Sequence, residues 1–138
     1  MLNLQDSNDR KLLHRLLEER EPVSNIVGVT NEKAIFCFNE GNRPLHYAED
    51  LDLIACFEIE GRLLKIFDLV GKKLCNLADI LERIKEPIDE VVMYLSGDRI
   101  HPNAEAFPHI FEGDSLLMVR GDFTAESVPF MLPRSARC

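Results

Sequence analysis

The chain has 138 residues, of which 46% are apolar and 29% are charged, as in an ordinary globular protein. That length suits a single domain, so residues 1–138 are expected to form one domain. There are 16 Lys and Arg residues against 24 Asp and Glu residues, which gives a formal net charge of −8. So acidic a chain is expected to avoid phosphate backbones, and nucleic acid is not a predicted partner.

The sequence also predicts where the protein is found. It contains no long uninterrupted apolar run, so no membrane span is expected. The polar first ten residues lack the basic-then-apolar layout of a secretion signal. Cys37, Cys56 and Cys75 lie among apolar neighbours, only Cys138 is placed for exposure, and no C-x-x-C pair occurs. We therefore predict a cytoplasmic protein whose internal cysteines are small buried apolar residues.

The first predicted element is a helix that Asp6 or Ser7 can cap. It should end near Arg20, because Pro22 disfavours helical geometry in the residue before it. One apolar stripe runs along it, formed by Leu12, Leu13, Leu16 and Leu17. Two short strands are predicted next, over residues 25–29 and 34–38. Turn-forming residues then predict a loop at 39–43.

The middle of the chain predicts an antiparallel hairpin with arms at 51–59 and 63–70. A glycine-containing turn, residues 60–62, joins the arms. In the first arm, alternation places Leu53, Ala55, Phe57 and Ile59 on one face and Ile54 and Cys56 on the other. In the second, it places Leu64, Ile66 and Val70 opposite Leu63, Phe67 and Leu69. Both faces are largely apolar, so the hairpin is expected in the middle of a sheet that is covered on each side.

A second helix should follow the turn at residues 71–73, because Asn76 and Asp79 form a variant of the capping box. This helix is expected to extend toward Pro87. Buried strands are predicted at residues 90–95 and 116–120. The irregular stretch between them, 96–114, is long enough to be functional or to contain a short helix around residues 104–107.

Known catalytic and nucleotide-binding motifs are missing: there is no complete P-loop, no G-x-G-x-x-G and no G-x-S-x-G. The densest group of chemically active side chains lies within residues 96–114 (Asp98, His101, Glu105, His109, Glu112 and Asp114). Their spacing matches no helical metal motif, so no metal is predicted. Asp98 and His101 follow a strand end, a common catalytic position, and are the candidate proton-transfer residues.

Two further segments are candidates for ligand binding. His46 and Tyr47 precede an acidic run (Glu49, Asp50 and Asp52), which can attract an amine or can simply guard the entry to an apolar strand. The C-terminal tail begins apolar at residues 130–132 and is expected to dock on the body. A fixed tail would present Arg134, Arg137 and Cys138 to a ligand; the alternative is docking alone.

Several stretches together resemble the C-terminal half of bacterial tandem GNAT-superfamily N-acetyltransferases. They are residues 20–24 (Arg-Glu-Pro-Val-Ser), 46–47 (His-Tyr), 51–53 (Leu-Asp-Leu), 61–70, 98–99 (Asp-Arg), 117–121 (Leu-Met-Val-Arg-Gly) and 132–138 (Leu-Pro-x-x-Ala-Arg-Cys). The resemblance implies an α/β sandwich with a mixed, mostly antiparallel sheet flanked by helices. It also implies acyl transfer from acetyl-CoA to a small-molecule amine, and packing against a second GNAT-like half.

One departure from the family pattern bears on the coenzyme. The superfamily binds the CoA pyrophosphate with Q/R-x-x-G-x-G/A at a helix N-terminus, and residues 71–76 offer one glycine only. Lys72 and Lys73 would supply charge without the glycine-lined shape. Two functions therefore stay open: an acyltransferase with Asp98 or His101 as base, and a noncatalytic module that binds a ligand or self-associates as a homo-oligomer.

Overall fold

The computed structural model describes residues 1–30, 32–109, 122–123 and 128–137. The strands in these ranges form one sheet in the order β1-β2-β3-β4, with parallel pairing between β3 and β4 and antiparallel pairing elsewhere. This mixed, mostly antiparallel sheet flanked by helices confirms the predicted fold class, an α+β sandwich. The elements are α1 Ser7–Glu19, α2 Lys33–Glu40, β1 His46–Ala48, β2 Leu53–Glu60, β3 Leu63–Gly71, α3 Leu77–Leu81, β4 Glu90–Met93 and the 3₁₀ helices Glu49–Leu51 and Arg134–Ala136.

Each face of the sheet carries its own apolar core. On one face, α1 and α2 pack against β2 and β3, and the buried cluster is Leu13, Leu16, Leu17, Phe36, Leu45, Ile54, Cys56, Phe67 and Val70. On the other face, α3 and its flanking loops cover Val23, Leu53, Ala55, Leu64, Ile66, Leu69, Ile80, Leu95 and Ile100. The hairpin β2–β3 is therefore central and covered on both sides, which confirms the prediction from its apolar faces.

The first helix agrees closely with its sequence signals. Asp6 caps it, and one carboxylate oxygen of that residue accepts the N–H groups of Asn8 at 2.7 Å and Asp9 at 3.1 Å. The helix ends at Glu19, and Arg20 is extended. Its leucine stripe is buried at three of the four predicted positions and half-buried at Leu12.

Neither strand predicted between residues 25 and 38 exists. Residues 25–27 bend, because Ser24 Oγ accepts the Ile26 N–H at 3.0 Å and so turns the backbone, and residues 28–29 have no regular structure. Residues 34–38 lie within α2, which also takes in the first two residues of the predicted loop 39–43. The apolar run at 34–38 has no clear period, and the buried pair Phe36 and Glu40 shows the four-residue spacing of a helix.

The hairpin contains a bulge that the alternation rule does not anticipate. Cys56 pairs with Asp68, but Phe57 pairs with Ile66, so Phe67 is an extra residue in β3. After a bulge the facing of the side chains is reset. Val70 consequently lies with Phe67 on the α1 face, and Leu69 lies on the α3 face; both predicted assignments were wrong.

The last elements are partly as predicted. Asn76 begins α3 with both hydrogen bonds of the capping box, but the helix ends at Leu81, well before Pro87. Strand β4 ends at Met93, two residues before the predicted limit. Residues 104–107 form no helix, so that alternative for the stretch 96–114 does not hold. The predicted strand 116–120 lies outside the described residues. In the described part of the chain no helix has the length and apolar character needed to cross a bilayer.

Candidate functional site

A groove of about 360 Å³ opens between helix α3 and strand β1, which lies at one edge of the sheet formed by the described strands. Its buried lining residues, Leu53, Ala55 and Ile80, are apolar, and its exposed lining includes an ion pair in which Arg83 Nε donates to both carboxylate oxygens of Asp50, at 3.1 and 3.0 Å. A groove that is apolar inside and polar at the rim suits a small organic molecule. It is lined by Met1, His46, Tyr47, Ala48, Glu49, Asp50, Leu51, Leu53, Ala55, Phe57, Ile80, Arg83 and Ile84.

His46 contributes an aromatic surface to the groove. Its ring stacks on that of Phe57, with centroids 3.9 Å apart and planes 17° from parallel. Burial lowers the pKa of His46, and the nearby N-terminal ammonium lowers it further. The imidazole is therefore neutral at pH 7, and it can donate one hydrogen bond and accept another.

Tyr47 also borders the groove, but its ring packs against the core on the α1 face, because neighbouring residues of a strand point to opposite sides. Its hydroxyl donates a hydrogen bond to Asp52 at 2.8 Å. Arg15 donates to both oxygens of the same carboxylate, at 2.8 and 2.7 Å. Of the two predicted ligand residues, only His46 turns its ring to the groove side of the sheet.

The predicted catalytic pair lies elsewhere. One Asp98 oxygen accepts the backbone N–H of Asn25 at 2.9 Å and its side-chain N–H at 3.1 Å. Burial alone would raise the pKa of Asp98, but hydrogen bonds from Ser24 and Asn25 outweigh that effect and hold it below its usual range. His101 is exposed, and no hydrogen bond within residues 1–109 joins it to Asp98.

The N-terminus of α3 is occupied by the chain itself. The Asn76 side chain accepts the Asp79 N–H at 2.9 Å, and the Asp79 carboxylate accepts the Asn76 N–H at 3.1 Å. The Leu77 N–H donates to the carbonyl of Ile100 at 3.2 Å. Lys72 and Lys73, predicted to bind the coenzyme, lie exposed just before this helix.

The C-terminal segment, residues 128–137, docks on the body as predicted. The Met131 N–H donates to Ser96 Oγ at 2.7 Å, and the Ser96 N–H donates to the Met131 carbonyl at 2.8 Å. Further along, the Asn39 side chain donates to the carbonyl of Arg137 at 2.7 Å. Arg137 in turn reaches the carbonyl of Tyr94 at 3.5 Å. Cys138, the last predicted ligand residue, lies outside the described residues.

Arg134 enters a pocket formed by Glu40, Glu58 and Phe67, which we call the arginine pocket. Its Nε and Nη2 atoms donate to the two oxygens of Glu40 at 2.7 and 2.9 Å. Its Nη1 donates to Glu58 at 3.2 Å, and its guanidinium carbon lies 3.5 Å from the centre of the Phe67 ring. Beside this pocket, Ser135 donates a hydrogen bond to Asp68. The predicted ligand residue Arg134 thus binds its own chain.

Comparison with protein-family models, curated proteins and solved structures finds no match to this chain. The candidate sites therefore depend on the geometry alone.

Sequence reasoning missed the arginine pocket, since Glu40 fell in a predicted loop and Phe67 was assigned only by alternation. The bulge explains how the pocket forms. It turns the consecutive side chains of Phe67 and Asp68 toward the same face of the sheet, where Phe67 contacts Arg134 and Asp68 accepts a hydrogen bond from Ser135. A charged residue inside an apolar run, Asp68 between Phe67 and Leu69, was the available signal. Among the described residues, no three His, Cys, Asp or Glu side chains group as a metal site requires.

Proposed function

We propose that this chain is a GNAT-like domain that does not bind acetyl-CoA and acts as a noncatalytic binding module. The resemblance in its sequence motifs and the mixed, helix-flanked sheet support the relationship to that superfamily. The observation that carries the noncatalytic part is the self-occupied N-terminus of α3.

A helix N-terminus binds phosphate through free N–H groups and the positive end of the helix dipole. At α3 the N–H groups of Asn76, Leu77 and Asp79 are already bonded to oxygens of the chain. The carboxylate of Asp79 also places negative charge at this end of the helix, which disfavours a pyrophosphate. Lys72 and Lys73 supply positive charge beside this end, but charge alone does not replace the missing donors.

The candidate base residues support the same proposal. A general base works best with a pKa near the operating pH, whereas the hydrogen bonds on Asp98 hold its pKa low. His101 has no partner among residues 1–109 that would orient it toward Asp98. We therefore expect no acetyl transfer by this chain alone.

The groove beside β1 is the proposed ligand site, and a small amine with an apolar body is the proposed ligand. The stacked rings of His46 and Phe57 offer a flat surface for the apolar body. The carboxylates of Glu49 and Asp50 at the rim can attract an ammonium group, although Arg83 and the N-terminal ammonium of Met1 offset that charge.

Titration calorimetry with acetyl-CoA tests the noncatalytic proposal. We expect no saturable heat with the full chain at millimolar coenzyme. Saturable heat that disappears in a Lys72→Ala, Lys73→Ala double variant would show a working coenzyme site and contradict the proposal. A parallel NMR titration with phenethylammonium should shift the signals of His46 and Phe57. The His46→Ala variant should weaken binding, and His14→Ala, at an exposed position of α1, should not.

A packing partner, either a second copy or a second GNAT-like half, is also part of the proposal. Phe38 on α2 supports it, because its side chain is 87% exposed. Sedimentation of the full chain at high concentration should show dimers that a Phe38→Ser variant reduces. Monomers alone would contradict self-association. The free thiols of Cys37, Cys56 and Cys75 support the proposed cytoplasmic location.

A further inference from the structure

We propose that the arginine pocket is a binding site for alkylguanidinium groups, and that Arg134 occupies it as an internal ligand. This inference is independent of the groove and of the proposed function, because it depends on other residues. The pocket meets a guanidinium on three sides: two carboxylates at its edges and an aromatic ring on its flat face.

The edge contacts are specific for the shape of a guanidinium. Nε and Nη2 of Arg134 engage both oxygens of Glu40, which is the paired geometry that a planar fork of donors allows. Nη1 donates a hydrogen bond to Glu58, which lies on strand β2. An ammonium group is a point charge and cannot make these three bonds in one plane.

The Phe67 ring packs against the flat face of the guanidinium group. The guanidinium carbon lies 3.5 Å from the ring centre, the distance of a stacked cation–π contact. The bulge in β3 makes Phe67 available, since it places this ring and the Asp68 carboxylate on the same side of the sheet.

The pocket requires a permanent cation. The side chain of Glu40 is fully buried, and burying an uncompensated carboxylate is costly. Arg134, which is 20% exposed, is the cation bonded to Glu40 among the described residues. Glu58 is 43% exposed and forms the open side, through which a ligand from solution can enter once Arg134 is removed.

The test is chemical rescue of the full-length Arg134→Ala variant. Ethylguanidinium chloride should raise the Tm of this variant saturably, by about 5 °C, because a ligand that binds only the folded state stabilises it. Ethylammonium chloride at the same concentration should not, and the wild-type chain should respond to neither. No difference between the two salts on the variant would overturn the proposal.

A second variant keeps the test decisive if Arg134→Ala does not fold. Arg134→Lys retains a cation beside Glu40, but it loses the fork and the flat contact with Phe67. Its Tm should fall several degrees below that of the wild type, whereas the matched change Arg62→Lys in an exposed ion pair should have no effect. Equal Tm values for Arg134→Lys and the wild type would overturn the guanidinium assignment.

Two probes distinguish the source of the ligand. N-acetylarginine amide represents a small molecule, and a peptide with the sequence of residues 130–137 represents a protein segment. Binding of the peptide to Arg134→Ala at least tenfold tighter than the amide supports a peptide ligand, and equal affinities support a small guanidinium compound. Absence of binding by both probes, with the variant folded, would contradict the site.

Discussion

Arg20 and Asp68 form a buried ion pair between the end of α1 and strand β3. The Arg20 Nη2 atom lies 2.8 Å from Asp68 Oδ1, and the two side chains are only 2% and 0% exposed. Asp68 also receives hydrogen bonds from its neighbour's backbone, the Leu69 N–H at 2.8 Å, and from Ser135. One carboxylate thus joins the first helix, the central strand and the C-terminal segment.

Removing Arg20 should destabilise the fold strongly. An Arg20→Ala variant leaves the Asp68 carboxylate buried without its cation, so we expect the free energy of unfolding to fall by about 3–5 kcal/mol. Urea denaturation measures this change. The matched variant Arg62→Ala breaks an exposed pair with Asp89 and should cost about 1 kcal/mol or less. Similar losses of unfolding free energy for the two variants would show that burial does not determine how strongly the Arg20–Asp68 pair stabilises the fold.

Ser135 should stabilise the docked tail through its hydroxyl. A Ser135→Ala variant removes one donor from a buried carboxylate, and we expect a loss of about 1–3 kcal/mol in unfolding free energy. Hydrogen exchange should also speed up at Met131, whose N–H is bonded to Ser96. Ser7→Ala, at an exposed position of α1, is the control. An unchanged exchange rate at Met131 would mean that the tail docks without Ser135.

Asp52 should make stability fall in acid. Hydrogen bonds from Arg15 lower the pKa of Asp52 from 3.8 to about 2. A lowered carboxyl pKa stabilises the folded state above the unfolded value, and this contribution is lost as the pH falls from about 4 toward 2.

Asp52→Asn isolates this effect, because Asn tolerates the left-handed backbone (φ 46°) of this residue. Thermal melts between pH 5 and pH 2 should show a smaller decrease in Tm for Asp52→Asn than for the wild type. Glu105→Gln removes one charge at an exposed residue and should preserve the wild-type profile. Identical profiles for all three proteins would refute the Asp52 assignment.

His46 should contribute a second, weaker dependence of folding stability on pH. Burial lowers its pKa below the usual 6.5, so the unfolded chain takes up the proton first and stability decreases as the pH falls below about 6.5. NMR titration should find the His46 midpoint below the ordinary histidine value of 6.5. His46→Phe should remove this part of the pH dependence while keeping the stack on Phe57. A His46 midpoint at or above 6.5 would contradict the half-buried stack on Phe57.

Local signals were sufficient for much of the fold. The caps at Asp6 and Asn76 and the glycine turn at residues 60–62 each act within a few residues, so the sequence predicts α1, the hairpin and the start of α3 correctly. The spacing of apolar residues predicted the wrong element where the run was short and uniformly apolar, as at residues 34–38. There the helix is evident from Phe36 and Glu40 together, and the burial of Glu40 depends on an arginine 94 positions away.

The candidate sites depended more on distant contacts. His46 was predicted because an aromatic pair and an acidic run are adjacent in sequence. The arginine pocket was not, since it requires the extra residue at Phe67, whose one local signal is the charged Asp68 beside it, and the arrival of Arg134 from a distant part of the chain. Asp98 and His101 lie close in sequence, but the turn between them gives their side chains different environments.

The hydrogen bond between Ser135 and Asp68 also affects when the chain can fold during its synthesis. Ser135 is translated 67 residues after Asp68, and Arg134 follows Glu40 by 94. While the chain is still on the ribosome, Glu40 lacks its cation and Asp68 lacks its hydroxyl donor, so hydration of these carboxylates opposes closure of the α1 face. Completion of the fold is consequently a late event, which waits until Arg134 and Ser135 have been synthesised and have left the exit tunnel.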